Sequence, residues 1–177
     1  MLRHPRWSDF DAWADIRQRD ADHLRQWEPE WSAGHLSRAS YRLRLGRFRK
    51  MVQGDQAYPF HVFRSDTDTL IGAANLTHVE RGAANAAKIG YWVARDHQNR
   101  GHAQTAVGAL SAFAFAALNL HRLEAAVQPG NAPSVRVLEK SGYQLEGRAR
   151  GLLKIDGVWA DHDIYARLRG DGRGPGD

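Results

Sequence analysis

The segment that most restricts the fold is Ile89-Gly90-Tyr91-Trp92-Val93. It is an aromatic-rich strand pattern that passes through a polar loop, Arg95 to Arg100, into a small-residue helix predicted from Gly101 to about Leu118. A strand that hands over to a helix in this way leaves the first backbone N–H groups of the helix without internal partners. Those donors and the positive end of the helix dipole make an anion site that needs no charged side chain. Gly101 lets the backbone approach a ligand closely, Ala103 keeps the next contact unobstructed, and Arg95 and Arg100 add positive potential. Taken alone, Gln98-Asn99-Arg100-Gly101-His102-Ala103 is equally compatible with an ordinary turn, so the surrounding pattern decides its meaning.

Upstream, Ser8 and Asp11 read as a capping-box start, with Phe10, Trp13 and Ile16 at helical spacing. This predicts a helix from Asp9 to about Arg25. Trp27-Glu28-Pro29-Glu30-Trp31 then breaks the pattern, because proline restricts its predecessor and lacks a donor, and leaves a loop with two large aromatics. Tyr41, Leu45, Phe48 and Val52 mark a second amphipathic helix from about Ser37 to Gln53. Strands Tyr58 to Arg64 and Leu70 to Val79 form a hairpin across Ser65-Asp66-Thr67-Asp68, and Lys88 to Ala94 follows after the Arg81-Gly82 turn.

Beyond the loop come a strand from Arg122 to Val127, a break at Pro129-Gly130-Asn131, and a helix from Pro133 to Lys140 stopped by Gly142. Two strands, Tyr143 to Lys154 and Val158 to Leu168, close the chain around an Asp156-Gly157 hairpin turn. The order predicts one α/β (α+β) domain over residues 1–169, with a mixed, mostly antiparallel central sheet and helices on both faces. The glycine-rich stretch 170–177 is expected to be a disordered tail.

Composition narrows the chemistry. The 177 residues include no cysteine, which removes disulfides, thiolate metal sites and an acyl-cysteine mechanism. The net charge of +5 is carried almost wholly by arginine, since lysine stands only at positions 50, 88, 140 and 154. Arginine suits planar recognition of phosphate and carboxylate, and a basic balance suits a polyanionic cofactor, a nucleic-acid-rich partner or both. The longest apolar stretch, Ala106 to Leu118, is too short and interrupted to span a bilayer. The start lacks a signal-peptide segment, so a cytoplasmic protein with no membrane partner is expected. A dinucleotide fold competes poorly without Gly-x-Gly-x-x-Gly, and a Walker loop lacks its Gly-Lys-Ser/Thr.

The strand Ile89 to Val93, the loop Gln98 to Ala103 and Asn131-Ala132-Pro133-Ser134 about thirty residues later together resemble the GNAT acetyltransferase superfamily. Trp27-Glu28-Pro29, Ala74-Asn75-Leu76, Leu145-Glu146-Gly147, Leu153 to Trp159 and Asp161-His162 are similar, in the same order, to the ribosomal-protein-alanine N-acetyltransferases. The first strand of that family would end where Met1-Leu2-Arg3 begins, so it is either an edge fragment here or the start codon is placed late. The resemblance implies acetyl-CoA as cosubstrate, its pyrophosphate held by Gln98, Asn99, Arg100, Gly101, His102 and Ala103, beside a splayed strand end at Trp92 and Val93. It also implies that the Val93 region presents a backbone N–H to the thioester carbonyl, and that the acceptor is a primary amine, most simply the N-terminal α-amine of a ribosomal or other protein beginning with Ala or Ser.

Acetyl transfer needs a neutral amine, a donor to the developing oxyanion and a proton for the departing sulfur. A tyrosine common in the family falls at Leu138 here, so the resemblance shifts the acid role to Ser134, with a helix-capping serine as the plainer alternative. Asn131 would bridge the cofactor to the parted strands, or simply close the turn after Pro129-Gly130. For the base, Glu28 in the aromatic loop stands ahead of Glu80 and His78, and Trp27, Glu28 and Trp31 are expected to wall the acceptor site. Asp161 and His162 point to opposite faces of a strand, so no metal is assigned. Arg42, Arg44, Arg47, Arg49 and Lys50 on helix two read as a solvated face or as a contact with ribosomal RNA or an acidic partner. Two other functions stay open: acetylation of a small amine such as a polyamine or antibiotic, and a non-catalytic CoA-binding module.

Overall fold

A computed structural model describes residues 1–171. Seven strands lie in one sheet: β1 (Leu2–Arg3), β2 (Tyr58–Phe63), β3 (Leu70–Glu80), β4 (Ala86–Val93), β5 (Arg122–Val127), β6 (Gln144–Ile155) and β7 (Val158–Leu168). Their spatial order is β1-β2-β3-β4-β5-β7-β6, and every neighbouring pair is antiparallel except β4 and β5. That parallel ladder pairs only Ala86, Ala87 and Lys88 with Arg122, Leu123 and Glu124. From Ile89 onward the two strands part, and the functional cleft opens between them.

Strand alternation feeds two layers of helices, as the sequence predicts. On one face α1 (Phe10–Arg19), α2 (Ala21–Arg25) and α3 (Arg38–Gln53) gather Phe10, Trp13, Ile16 and Tyr41 against Phe63, Leu70 and Ala94. On the other, α4 (His102–Ala116) and α5 (Ala132–Lys140) bury Val107, Leu110 and Leu138 against Phe60, Val62, Ile71 and Leu76. At Gly72 on β3 an added Cβ would lie 2.2 Å from the Trp92 carbonyl oxygen, so only glycine lets β4 approach β3 this closely just before the strands part.

Three local expectations are corrected. The first helix does not run from Asp9 to Arg25 but breaks at Asp20. The Asp20 carboxylate accepts from the Arg95 backbone N–H at 2.7 Å and from Arg19 Nε at 3.1 Å, so a tertiary contact interrupts a locally helical sequence. Its start is a 3₁₀ turn over Trp7–Asp9 in which Asp9, rather than Ser8, closes the cap by accepting from the Arg6 N–H at 2.8 Å. The strand predicted to start at Lys88 begins two residues earlier, where it pairs with β5.

Other details agree with the sequence. The first strand is a two-residue edge fragment on β2, Ser37 caps α3 through a 3.1 Å bond from the Ser40 N–H, and Asp156 and Gly157 both have positive φ, 44° and 83°, as a tight hairpin turn requires. Residues 170 and 171 of the expected tail form a turn, with the Leu168 N–H donating to Asp171 at 2.8 Å, while 172–177 lie outside the described residues. Among the described residues no helix is long and apolar enough to cross a membrane.

Candidate active site

The parted ends of β4 and β5 open onto a cleft of about 400 Å³ walled by α2, the loop after it, the start of α4 and the start of α5. Two larger hollows, about 610 Å³ between α4 and the end of α5 and about 540 Å³ beside β1, contain neither Gly101 nor Ser134. The smaller cleft carries the convergent polar groups.

The side on which the sequence places the cofactor is built from backbone. Gly101 has φ +79° and caps α4, and the first internal helix bond runs from the Thr105 N–H to the Gly101 carbonyl at 2.9 Å. The N–H groups of His102, Ala103 and Gln104 therefore have no partner within the helix. Gly101, His102, Ala103 and Gln104 all line the cleft, and a Cβ at Gly101 would meet no atom within 4 Å. Asn99, at φ 57°, helps turn the chain into the helix, and Arg100 is exposed beside it. Gln98 faces inward: its amide Nε2 donates to the Val93 carbonyl at 3.2 Å and contacts His23 Nε2 at 2.7 Å, pinning α2 to the end of β4.

The Ala94 N–H donates to the Ile71 carbonyl of β3 at 2.8 Å. Since backbone groups alternate sides along a strand, those of Val93 point away from β3, to the side where β5 has separated. Trp92, half-buried, lines the same cleft.

On α5 the cap is Asn131, whose Oδ1 accepts from the Ser134 N–H at 3.2 Å. That arrangement frees the Ser134 hydroxyl from capping. It lies 2.8 Å from the Tyr91 hydroxyl, whose single hydrogen can go either to Ser134 Oγ or to the Ser134 carbonyl, 3.2 Å away. Burial pushes the Tyr91 phenol up to about 12, against the smaller downward effect of the Ser134 hydrogen bond. Leu138, at the position of the family tyrosine, is fully buried in the core.

The opposite wall is built from side chains. Glu28 accepts from both terminal nitrogens of Arg17, at 3.0 Å for Nη1, and from Trp31 Nε1 at 2.8 Å. Arg17 is 3% exposed, and its guanidinium lies over the rings of Trp31, Trp92 and Trp13 at 4.3, 5.4 and 5.5 Å. The Glu28 carbonyl accepts from the Asp156 N–H at 3.0 Å, which ties the β6–β7 hairpin to the same loop. Trp27 and Glu28 face the cleft, whereas Trp31 stacks on His35 at 4.7 Å behind it. Glu80 and His78 are exposed at the far end of β3 and do not line the cleft. Asp161 accepts from the Gly151 N–H at 2.8 Å, and His162 is buried against its own strand, 2.9 Å from the Ala160 carbonyl.

The family model of the acetyltransferase (GNAT) domain matches residues 1–144. The chain belongs to the GNAT family. It is 36% identical over 164 residues to the probable N-acetyltransferase YjcK of Bacillus subtilis, covering 93% of this chain and 91% of that protein. It is 32% identical over 160 residues to the ribosomal protein uS5-alanine N-acetyltransferase of Escherichia coli, covering 89% and 82%. Mycobacterium smegmatis RimJ in complex with CoA-disulfide matches the fold with a TM-score of 0.91 and 34% identity over 98% of this chain and 83% of that one. The protein is thus a GNAT N-acetyltransferase related to the ribosomal-protein acetyltransferases, as the motifs imply.

Within this GNAT cleft, three residues escaped the sequence reading. Tyr91 looked like one aromatic among several, and nothing local ties it to a serine 43 residues away. His23 reaches the cleft only because α2 swings in behind Asp20, and burial, then Arg95, lowers its pKa. Arg17 did leave a trace: with Asp20 it continues the Phe10, Trp13, Ile16 stripe, and charges on an apolar stripe signal buried, partnered groups.

Proposed function

We propose that this GNAT enzyme moves acetyl from acetyl-CoA to the N-terminal α-amine of a protein, a ribosomal protein being the acceptor class its relatives suggest, by direct transfer in a ternary complex. The observation that carries this reading is the state of the acceptor wall. Among the described residues that line the cleft Glu28 is the only carboxylate, and it is already bound by Arg17 and Trp31. A cleft without a free carboxylate favours an amine that is partly neutral unaided, and a terminal α-amine near ~8 meets that condition where lysine-type amines near ~10.4 do not. A polycationic amine would also lack an acidic wall.

Acetyl-CoA, when bound, supplies the acetyl group as an activated thioester. The N–H groups of His102, Ala103 and Gln104 would hold its pyrophosphate, helped by Asn99 and Arg100. The Val93 N–H, turned toward the opened side, would donate to the carbonyl oxygen as charge grows there. Ser134 would give a hydrogen bond to the departing sulfur, and the proton that the amine nitrogen loses as the amide forms passes to the released thiolate or to solvent, while Asn131 fixes the helical turn that carries Ser134. A thiol near ~8.5 needs a hydrogen bond more than a strong acid. Tyr91, whose raised pKa of about 12 keeps it protonated, can turn its hydrogen from the Ser134 carbonyl to Ser134 Oγ and so support it. Trp27 would pack against the peptide terminus, and the ion-paired Glu28 keeps that wall in place instead of taking the proton. A ribosomal acceptor implies work in the cytoplasm.

The test is acetyl-CoA turnover with Ala- and Ser-starting peptides, the same peptides blocked at the N-terminus, and a set containing spermidine and aminoglycosides, with the product located by mass spectrometry. Acetylation of the free α-amine alone supports the reading. Turnover of the polyamine or aminoglycoside with inert peptides would replace it with a small-molecule acetyltransferase.

A further inference from the structure

Helix α3 carries six cations, Arg38, Arg42, Arg44, Arg47, Arg49 and Lys50, and no acidic residue. They outnumber the net charge of +5 of the whole chain, so the rest of the molecule is close to neutral. Arg44 turns inward over the Trp13 ring at 5.1 Å, and Arg38 pairs with Asp11 at 2.5 Å. Arg42, Arg47, Arg49 and Lys50 are exposed, and among the described residues none pairs with a carboxylate. Isolated surface cations are ordinary, but four unpaired ones within nine residues repel one another and favour a polyanion.

Two uncharged features sit on the same surface. Trp7 is 41% exposed, rests one side on Phe10 at 6.0 Å, and has the guanidinium of Arg42 at 5.2 Å and of Arg38 at 6.0 Å from its ring. An indole left half in water between arginines is a platform on which a planar base can stack. Gly46 lies mid-helix on the exposed side, and a Cβ there would meet nothing within 4 Å. Nothing inside the chain requires glycine at this point, although it costs helix stability relative to alanine. Its effect is to leave bare backbone where a sugar-phosphate chain can come close.

We infer that the exposed face of α3, with Trp7 at its N-terminal end, binds single-stranded nucleic acid through its phosphates and one stacked base. The helix is about 24 Å long, enough to track a few nucleotides. A lipid surface would require an apolar stripe to insert, and among the described residues this face offers only Leu43 and, at its end, the half-exposed Trp7. An acidic protein would use the cations but leave the Trp7 platform without a role. None of these side chains lines the acetyl-transfer cleft, so the surface can hold a strand while the cleft turns over.

The experiment uses the full chain and fluorescein-labelled RNA and DNA strands of the same mixed sequence, about 12 nucleotides long. Anisotropy is followed across a salt series. Log affinity should fall linearly with log salt, and indole fluorescence should be quenched on binding. Arg42→Gln/Arg49→Gln/Lys50→Gln should flatten that slope by about 2 and weaken binding at low salt about tenfold or more. Trp7→Leu should lose about tenfold with the slope unchanged. CoA affinity and Tm, measured alongside, show that each variant is folded, and Arg150→Gln on the exposed β6 should change nothing. Preference for RNA identifies transcripts or ribosomal RNA as the source, and equal affinity a general strand-binding face; both support the inference. It is overturned if the triple variant binds as wild type does, if neither strand binds, or if polyglutamate or anionic vesicles bind more tightly than both strands.

Discussion

The cofactor side of the cleft relies on backbone: free N–H groups at the start of α4, a glycine at φ +79°, and Val93 turned into the gap between β4 and β5. The acceptor side relies on side chains brought from separate elements, with Arg17 from α1, Glu28 and Trp31 from the following loop and the β6–β7 hairpin leaning on the Glu28 carbonyl. A backbone site depends on few residue identities and can persist while acceptors change. A wall of long side chains can be rebuilt by a handful of substitutions. If the reaction belongs to the first region and acceptor choice to the second, as proposed, damage to each should be separable.

The largest effect should come from cutting the acceptor wall at its buried cation. Arg17→Gln leaves Glu28 without its bidentate partner, and breaking a buried pair costs about 3–5 kcal/mol. Glu28 is 24% exposed on its side chain against 4% for Arg17, which favours the lower end and a Tm loss of roughly 10 °C. Because the wall is side-chain built, the KM for peptide should rise with that loss while CoA affinity survives at temperatures where the protein stays folded. Equal loss of CoA affinity would merge the two regions into one.

On the other side, Ser134→Ala should lower kcat by about 10²-fold with little change in the KM for acetyl-CoA, because its hydrogen bond strengthens only as charge grows on sulfur. An unchanged kcat across the pH range would reduce Ser134 to a surface hydroxyl. A smaller effect tests whether the helices over β2 behave as a scaffold apart from both walls. His61 is buried and bonds Asp9 through Nδ1 at 3.1 Å, and burial lowers its pKa to about 4 despite that carboxylate. At Asp9 burial alone would raise the pKa, but Arg3, the Arg6 N–H and His61 outweigh it and hold it below the ordinary value.

Both native-state shifts are downward, so both groups contribute stability that is present above their unfolded pKa and lost as pH falls. Tm should decline as pH drops from 6.5 toward about 4, where His61 in the unfolded chain takes up a proton that the native state refuses. His61→Gln should flatten that part of the curve, and an unflattened curve would assign the loss to other groups. The smallest change is Tyr91→Phe, which removes one hydrogen bond to Ser134 and should cost about fivefold in kcat. A loss as large as that of Ser134→Ala would make Tyr91 the principal donor.

The same division explains what the sequence disclosed. The strand, loop and glycine before α4 are contiguous, and Asn131 lies three residues from the N–H it caps, so the cofactor side could be read as a local pattern. Asp20 breaks a predicted helix through a bond to Arg95, 75 residues away, and no local propensity encodes that. Glu28 stood out as an acid between the aromatics of its loop, but its partner is a helical arginine 11 residues earlier whose only local trace was its place on the apolar stripe of α1. Tyr91 and Ser134 meet only because β4 and α5 converge at the gap between the strands. Residues whose roles depend on such closures carry no local signature beyond a charge on an apolar stripe.

The most direct measurement is a set of four KM values, for acetyl-CoA and for an Ala-starting peptide, in Gly101→Val and Trp27→Ala, with Tm recorded for each. At Gly101 the positive φ disfavours a branched side chain and the open space belongs to the cofactor side, while Trp27 faces the cleft from the acceptor wall. The account predicts a crossed pattern, in which Gly101→Val raises the KM for acetyl-CoA and Trp27→Ala raises the KM for peptide, each leaving the other value nearly unchanged. Parallel increases in both KM values for both variants, tracking a fall in Tm, would contradict it.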